Sequence, residues 1–198
     1  MSTATLTDSV DSPLTLDQRR ELSDAKQSAK KIRNAARVAS FNGWSIGIAA
    51  VLSAPFALFG TTGLLITVGL AIVSYNEFRG RKRLLRFDPA GAKMLGWNQL
   101  ALLAMIVVYC LWMLYLGLAG EGSFVAQLEA QPELQAALGS LDEIGGLYDS
   151  LVVVLYGSII VGSVVFQGLN AFYYFSRCKY VQAYVRETPE WVQDVQSD

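Results

Sequence analysis

The sequence predicts an all-α integral membrane protein with four transmembrane helices, a hairpin plus two further spans. A long cytoplasmic N-terminal helix precedes them, and short amphipathic helices are expected on the external side. Three observations predict this. Residues 38–76, 94–120 and 150–176 carry no charged side chain, in a chain that is 53% apolar and 17% charged. A spanning helix needs about 20 such residues to cross roughly 30 Å of hydrocarbon, so the last two stretches cross once each and the first crosses twice. All 16 Lys and Arg fall on one side of that arrangement: seven before Val38, six between Asn76 and Met94, three after Ser176. Cytoplasmic flanks are enriched in these residues because they resist translocation. Both termini and residues 77–93 are therefore expected in the cytoplasm, and the acidic segment 120–149 outside, in the inner (cytoplasmic) membrane of the cell.

Residues 1–14 are rich in Ser, Thr and Asp and poor in apolar side chains, which predicts disorder. Thr15-Leu16-Asp17-Gln18 fits a capping box, opening a basic amphipathic helix over 15–37. Leu22, Ala25, Ala29, Ile32, Ala36, Ala39 and Gly43 then recur at spacings of three and four, a seam of mostly small residues. It continues without a break into the first span, 38–58, so one helix from Thr15 to about Leu58 is expected, bent near Pro55. Gly43 and Gly47 form a GxxxG, and Ser158 and Gly162 a weaker small pair. Small residues let helix backbones approach in lipid, where packing drives association. Ala39, Gly43, Gly47, Ser158 and Gly162 are thus the candidate helix-packing residues.

Gly60-Thr61-Thr62-Gly63 marks the hairpin turn, and the second span runs over about 62–78. The loop that follows carries Arg79, Arg81, Lys82, Arg83 and Arg86 with Leu84, Leu85 and Phe87 interleaved. Such a segment suits an anionic lipid headgroup surface, and the plainer reading is that these bases fix topology. Asp88-Pro89 resembles an N-cap followed by Pro at the first helical position, restarting a helix toward Trp97 ahead of the third span, 98–119. In the external segment, Phe124/Leu128 and Leu134/Leu138/Leu141 have helical spacing, and Ser140-Leu141-Asp142-Glu143 fits a cap. The fourth span, 150–176, runs on through Tyr173, Tyr174, Tyr180 and Tyr184, rings that sit well at headgroup depth. Thr188-Pro189 ends that helix and opens a cytoplasmic tail over 187–198.

The chain has no histidine and two cysteines. That excludes a His-based triad, an imidazole ligand for haem and the usual zinc sets; no P-loop is present. No catalytic, metal or cofactor residue is assigned, and the expectation is a protein that is not an enzyme. A nucleic-acid partner is not expected, because the basic patches are short and fixed against a bilayer. Asn76, Glu77, Asn98 and Gln99 form a polar patch at the inner interface, suited to a headgroup or partner and more simply read as helix-end capping. Gln167 and Asn170 lie one turn apart in the fourth span near the inner leaflet, where an amide is expected to make an interhelical hydrogen bond. The leading expectation is a non-catalytic membrane component acting by helix-helix association, as a homo-oligomer or a small subunit of a membrane complex. The alternatives are an oligomeric channel or carrier for a small solute, which the lack of intramembrane charge disfavours, and a membrane-shaping protein whose 38–76 hairpin is a wedge.

Overall fold

The computed structural model describes residues 14–119 and 141–197. Among these residues every regular element is a helix: α1 (Leu16–Ser53), a short 3-10 helix (Ala54–Leu58), α2 (Thr61–Leu85), α3 (Pro89–Ala119), α4 (Leu141–Glu187) and α5 (Glu190–Ser197). The expected disordered N-terminus and the expected helices around Phe124/Leu128 and Leu134/Leu138 lie outside the described residues. Three segments are long and apolar enough to cross a membrane: Leu16–Leu58, Pro89–Leu118 and Gly145–Glu187. The α2 helix differs because its uncharged part covers only residues 61–76, and Glu77, Arg79, Arg81, Lys82 and Arg83 occupy the rest.

The capping box forms at the start of α1. Thr15 Oγ1 accepts from the Gln18 amide at 3.3 Å, and Gln18 Oε1 accepts from the Thr15 amide at 2.9 Å. No Pro or Gly interrupts the helix before Gly43, and it gives way to the 3-10 helix at Ala54, where Pro55 cannot donate. The chain turns at Phe59–Gly60, slightly earlier than the sequence suggests. Gly63 sits in the first turn of α2, where a Cβ would collide with the Phe56 carbonyl. The two helices return antiparallel and are tied twice: Thr67 Oγ1 donates to the Ser53 carbonyl at 3.0 Å, and Ser74 Oγ to the Gly43 carbonyl at 2.8 Å.

Two expectations about the basic segment are overturned. Residues 77–85 are not a loop on a surface but the last turns of α2, and Leu84 and Phe87 are buried rather than offered to lipid. Gly80 does not break the helix. It makes room for α3, since a Cβ there would stand 2.6 Å from Leu95. The reversal occurs at Arg86–Asp88, where Phe87 takes a φ of 55°, and its ring stacks on Tyr184 at 4.3 Å between centroids. Asp88 Oδ1 then accepts from the Ala90 amide at 2.8 Å, and Pro89 opens α3. The third span is the continuation of that helix, so Asn98 and Gln99 lie well inside α3 and cap no helix end.

The fourth helix is longer than expected. From Leu141 the chain is already in α4, so Leu141-Asp142-Glu143 is the beginning of a 47-residue helix and not a separate amphipathic piece. At 1.5 Å per residue α4 is about 70 Å long and α1 about 57 Å. Both exceed a bilayer of about 30 Å and project together past the basic end of α2 and α3. There Ala25, Ala29, Ile32, Ala36 and Ala39 of the α1 seam pack with Leu84, Phe87, Ala92, Leu95, Tyr174, Val181, Tyr184 and Val192 in one core. Tyr174 and Tyr184 therefore face the interior of the protein, whereas Tyr180 remains exposed. The helices pack chiefly on their neighbours, α1 on α2, α2 on α3 and α3 on α4, and many large apolar side chains on their outer faces are uncovered.

Candidate functional site

Glu77 is 0% exposed, Gln99 1% and Asn98 6%, which makes them the principal buried polar group among the described residues. They come from α2 and α3, which Gly69 and Gly80 allow to approach closely against Met105 and Leu95. The Glu77 carboxyl is the hub. Its Oε1 accepts from Asn98 Nδ2 and from Gln99 Nε2, each at 2.8 Å. Its Oε2 accepts from the Tyr174 hydroxyl of α4 at 3.5 Å, and that hydroxyl accepts from Asn42 Nδ2 of α1 at 3.2 Å. Asn98 Nδ2 also donates to the Val73 carbonyl at 3.0 Å. One carboxyl thus connects all four long helices.

A carboxyl removed from water must be compensated by hydrogen bonds or an opposite charge. Here three donors supply the compensation, and no Lys or Arg among the described residues lies within ion-pair distance of Glu77. Gln99 Oε1 is buried without a partner. Turning that amide over would place its oxygen against the Glu77 carboxyl, so the nitrogen stays inward and the oxygen goes unpaired. The arrangement brings two amides and one phenol to a single carboxyl. Among the described residues no group of three His, Cys, Asp or Glu could hold a metal.

Of the four residues read as an inner-interface patch, the structure brings three together and leaves the fourth out. Asn76 is only partly buried, on a different side of α2 from Glu77. The group is an interior network rather than an end cap, because α2 and α3 both run past it. Asn42 and Tyr174 complete the network and escaped the sequence reading. Asn42 lies five residues after Arg37, Tyr174 three before Arg177 and Glu77 two before Arg79, so no common spacing from a flanking base marks them in the sequence.

The other candidates separate clearly. Ala39 and Gly43 are buried, and Gly47 faces Ser74, whose Oγ would stand 3.0 Å from a Cβ at that position. Ser158 and Gly162 make no such contact. Ser158 is exposed, and nothing lies within 4 Å of a Cβ at Gly162, because that side of α4 faces away from α3. Gln167 is partly buried, with its Oε1 unpartnered. Arg79, Lys82 and Arg86 are exposed and Arg81 and Arg83 partly so, with Arg83 4.0 Å from Asp88. At the hairpin end a cavity of about 610 Å³ lies between the 3-10 helix, α2 and α3, lined largely by Phe56, Phe59, Ile66, Leu70, Met105 and Tyr109. Cys110 and Cys178 are both buried and free.

No protein-family model, curated protein or solved structure matches the chain.

Proposed function

We propose that the chain is a non-catalytic, multi-pass protein of the inner membrane that acts through helix-helix association, as a homo-oligomer or as a small subunit of a larger membrane assembly. The observation that carries this reading is the unequal use of its two small-residue pairs. Gly43 and Gly47 are consumed inside the chain by α2, whereas on α4 Ser158 is exposed and a side chain at the half-buried Gly162 would meet open space. Only 6% of the most apolar 18-residue stretch of α4 is buried, so a second helix has a long, shallow face to meet there. The Glu77 network supports the same reading from the other direction, since its acid is committed to holding helices together and is not presented to a substrate.

In this reading α2 is the fourth crossing. Its uncharged part, 61–76, measures about 24 Å at 1.5 Å per residue, less than a typical hydrocarbon core of about 30 Å. The Phe59–Gly60 turn then lies at the external surface and the bilayer thins locally around the hairpin. The one-sided Lys/Arg placement puts both termini in the cytoplasm.

Two measurements test the proposal. A Thr61→Cys variant should be labelled by an impermeant thiol reagent from outside, against a low background because Cys110 and Cys178 are buried; labelling only from the cytoplasmic side would make the hairpin a wedge. For association, Ser158→Leu with Gly162→Leu should reduce the cross-linked or light-scattering mass of the detergent-solubilised protein. A parent that is monomeric and partner-free in mild detergent and in bilayers alike would overturn the reading.

A further inference from the structure

Lys31 of α1 and Arg177 of α4 bring two cations to one tyrosine. Lys31 Nζ stands 4.4 Å from the centre of the Tyr180 ring and Arg177 Cζ 5.4 Å from the same centre, while Arg177 also lies over Tyr173 at 4.4 Å. The spacing Tyr173, Arg177, Tyr180 places all three on one face of α4. Ring faces attract cations and fix their position, but they do not neutralise them. Among the described residues neither cation is ion-paired; the ion pairs are Arg83 with Asp88 and Arg186 with Glu187. Arg177 Nε is shielded and has no hydrogen-bond partner, although a guanidinium is a set of donors that calls for an acceptor. Beside these groups a cavity of about 370 Å³ runs between α1 and α4, with Gln27, Ser28, Lys31, Tyr180 and Thr188 in its lining. Glu187 also borders it and is held by Arg186 at 3.1 Å.

We propose that Lys31, which lines this crevice, and Arg177, one helical turn nearer the uncharged stretch and outside its lining, together hold the phosphate of an anionic phospholipid beside Tyr180, the ring they share, with Tyr173 and Tyr180 as the platform that positions them. The depth selects a lipid. Arg177 is the first charged residue after the uncharged stretch 150–176, the level at which headgroup phosphates lie. Above it Phe172 and Leu169 are exposed on α4 and give the acyl chains an apolar path. Basic pockets between crossing helices recognise anionic headgroups in this way. The site is separate from the bases at the end of α2, and it requires only that α4 crosses the bilayer, not that the chain associates.

The test is lipid binding to the full chain in mild detergent, followed by mass spectrometry of the intact protein, with phosphatidylglycerol and phosphatidylcholine as probes. The parent is expected to retain phosphatidylglycerol selectively. Arg177→Gln and Lys31→Gln should each weaken that binding about fivefold, and the pair about 25-fold. Arg177→Lys should keep most of it, and Arg19→Gln with Arg20→Gln, at exposed positions near the start of α1, should leave it within about twofold. Melting temperatures in phosphatidylcholine micelles separate lost binding from lost folding. If Arg177→Gln does not fold, Tyr180→Leu, at an exposed position, reads the same site. Equal retention of the two lipids, unchanged binding by the double variant, or inorganic phosphate binding as tightly as phosphatidylglycerol would each overturn the proposal.

Discussion

Glu77→Ala is expected to lower the stability of the detergent-solubilised protein by about 3–5 kcal/mol. The substitution deprives Gln99 Nε2 and the Tyr174 hydroxyl of their acceptor, while Asn98 keeps only the Val73 carbonyl. Each buried donor left unsatisfied costs about 1–3 kcal/mol, and the space vacated in a fully buried position adds to it. Glu77→Gln keeps the shape and one acceptor oxygen, so its loss should be clearly smaller. Thermal or denaturant unfolding of the two variants beside the parent checks this. An alanine variant that melts with the parent would show that the network does not hold the helices, and equal losses for both variants would show that shape and one acceptor count for nothing there.

The network shows where the sequence was readable. The α1 seam could be read because an unbroken three-and-four spacing of small side chains has one physical meaning, a close helix contact. Ala25, Ala29, Ile32, Ala36 and Ala39 lie in the core as that spacing requires. The start of α3 at Asp88-Pro89 was equally local. The partners of Glu77 were not local: Tyr174 is 97 residues away and Asn42 bonds to it across 132. Tyr174 reads as one of four interfacial tyrosines, and nothing in its immediate neighbours marks it as one of the two turned inward. The basic run at 79–86 misled for a related reason. Charge density suggested a surface loop, but an α-helix tolerates Arg and Lys well, and the actual turn needs only three residues. Gly80, inside that run, is a contact point for Leu95 of α3.

A larger-scale disturbance is expected from Gly43→Leu combined with Gly47→Leu. A Cβ at Gly43 would stand 3.1 Å from the Phe78 ring and 3.2 Å from Glu77 Cβ, and one at Gly47 would stand 3.0 Å from Ser74 Oγ. A leucine at either site must push α2 away and break the Ser74 bond to the Gly43 carbonyl. Overpacking costs about 1–3 kcal/mol per site, and here it also displaces Glu77 from its donors. Ser45→Leu with Ala49→Leu, at exposed positions of α1, is the matched control. The Gly variant should lose its monodisperse size-exclusion peak and melt well below the control. If both behave like the parent, the α1–α2 contact tolerates separation and the packing account fails.

The core at the basic end has a thermodynamic consequence. Ala25, Ala29, Ile32, Val181, Tyr184 and Val192 lie beyond the uncharged stretches, so on the membrane reading they are buried from water, whereas the crossing segments exchange one apolar medium for another. Burial from water carries a large heat-capacity change and weakens on cooling; helix contacts in lipid have no such term to lose. Chilling should therefore loosen the projecting half of α1 from α4 and α5 while the crossing helices stay in place, giving the protein a cold-sensitive limb on a cold-insensitive base.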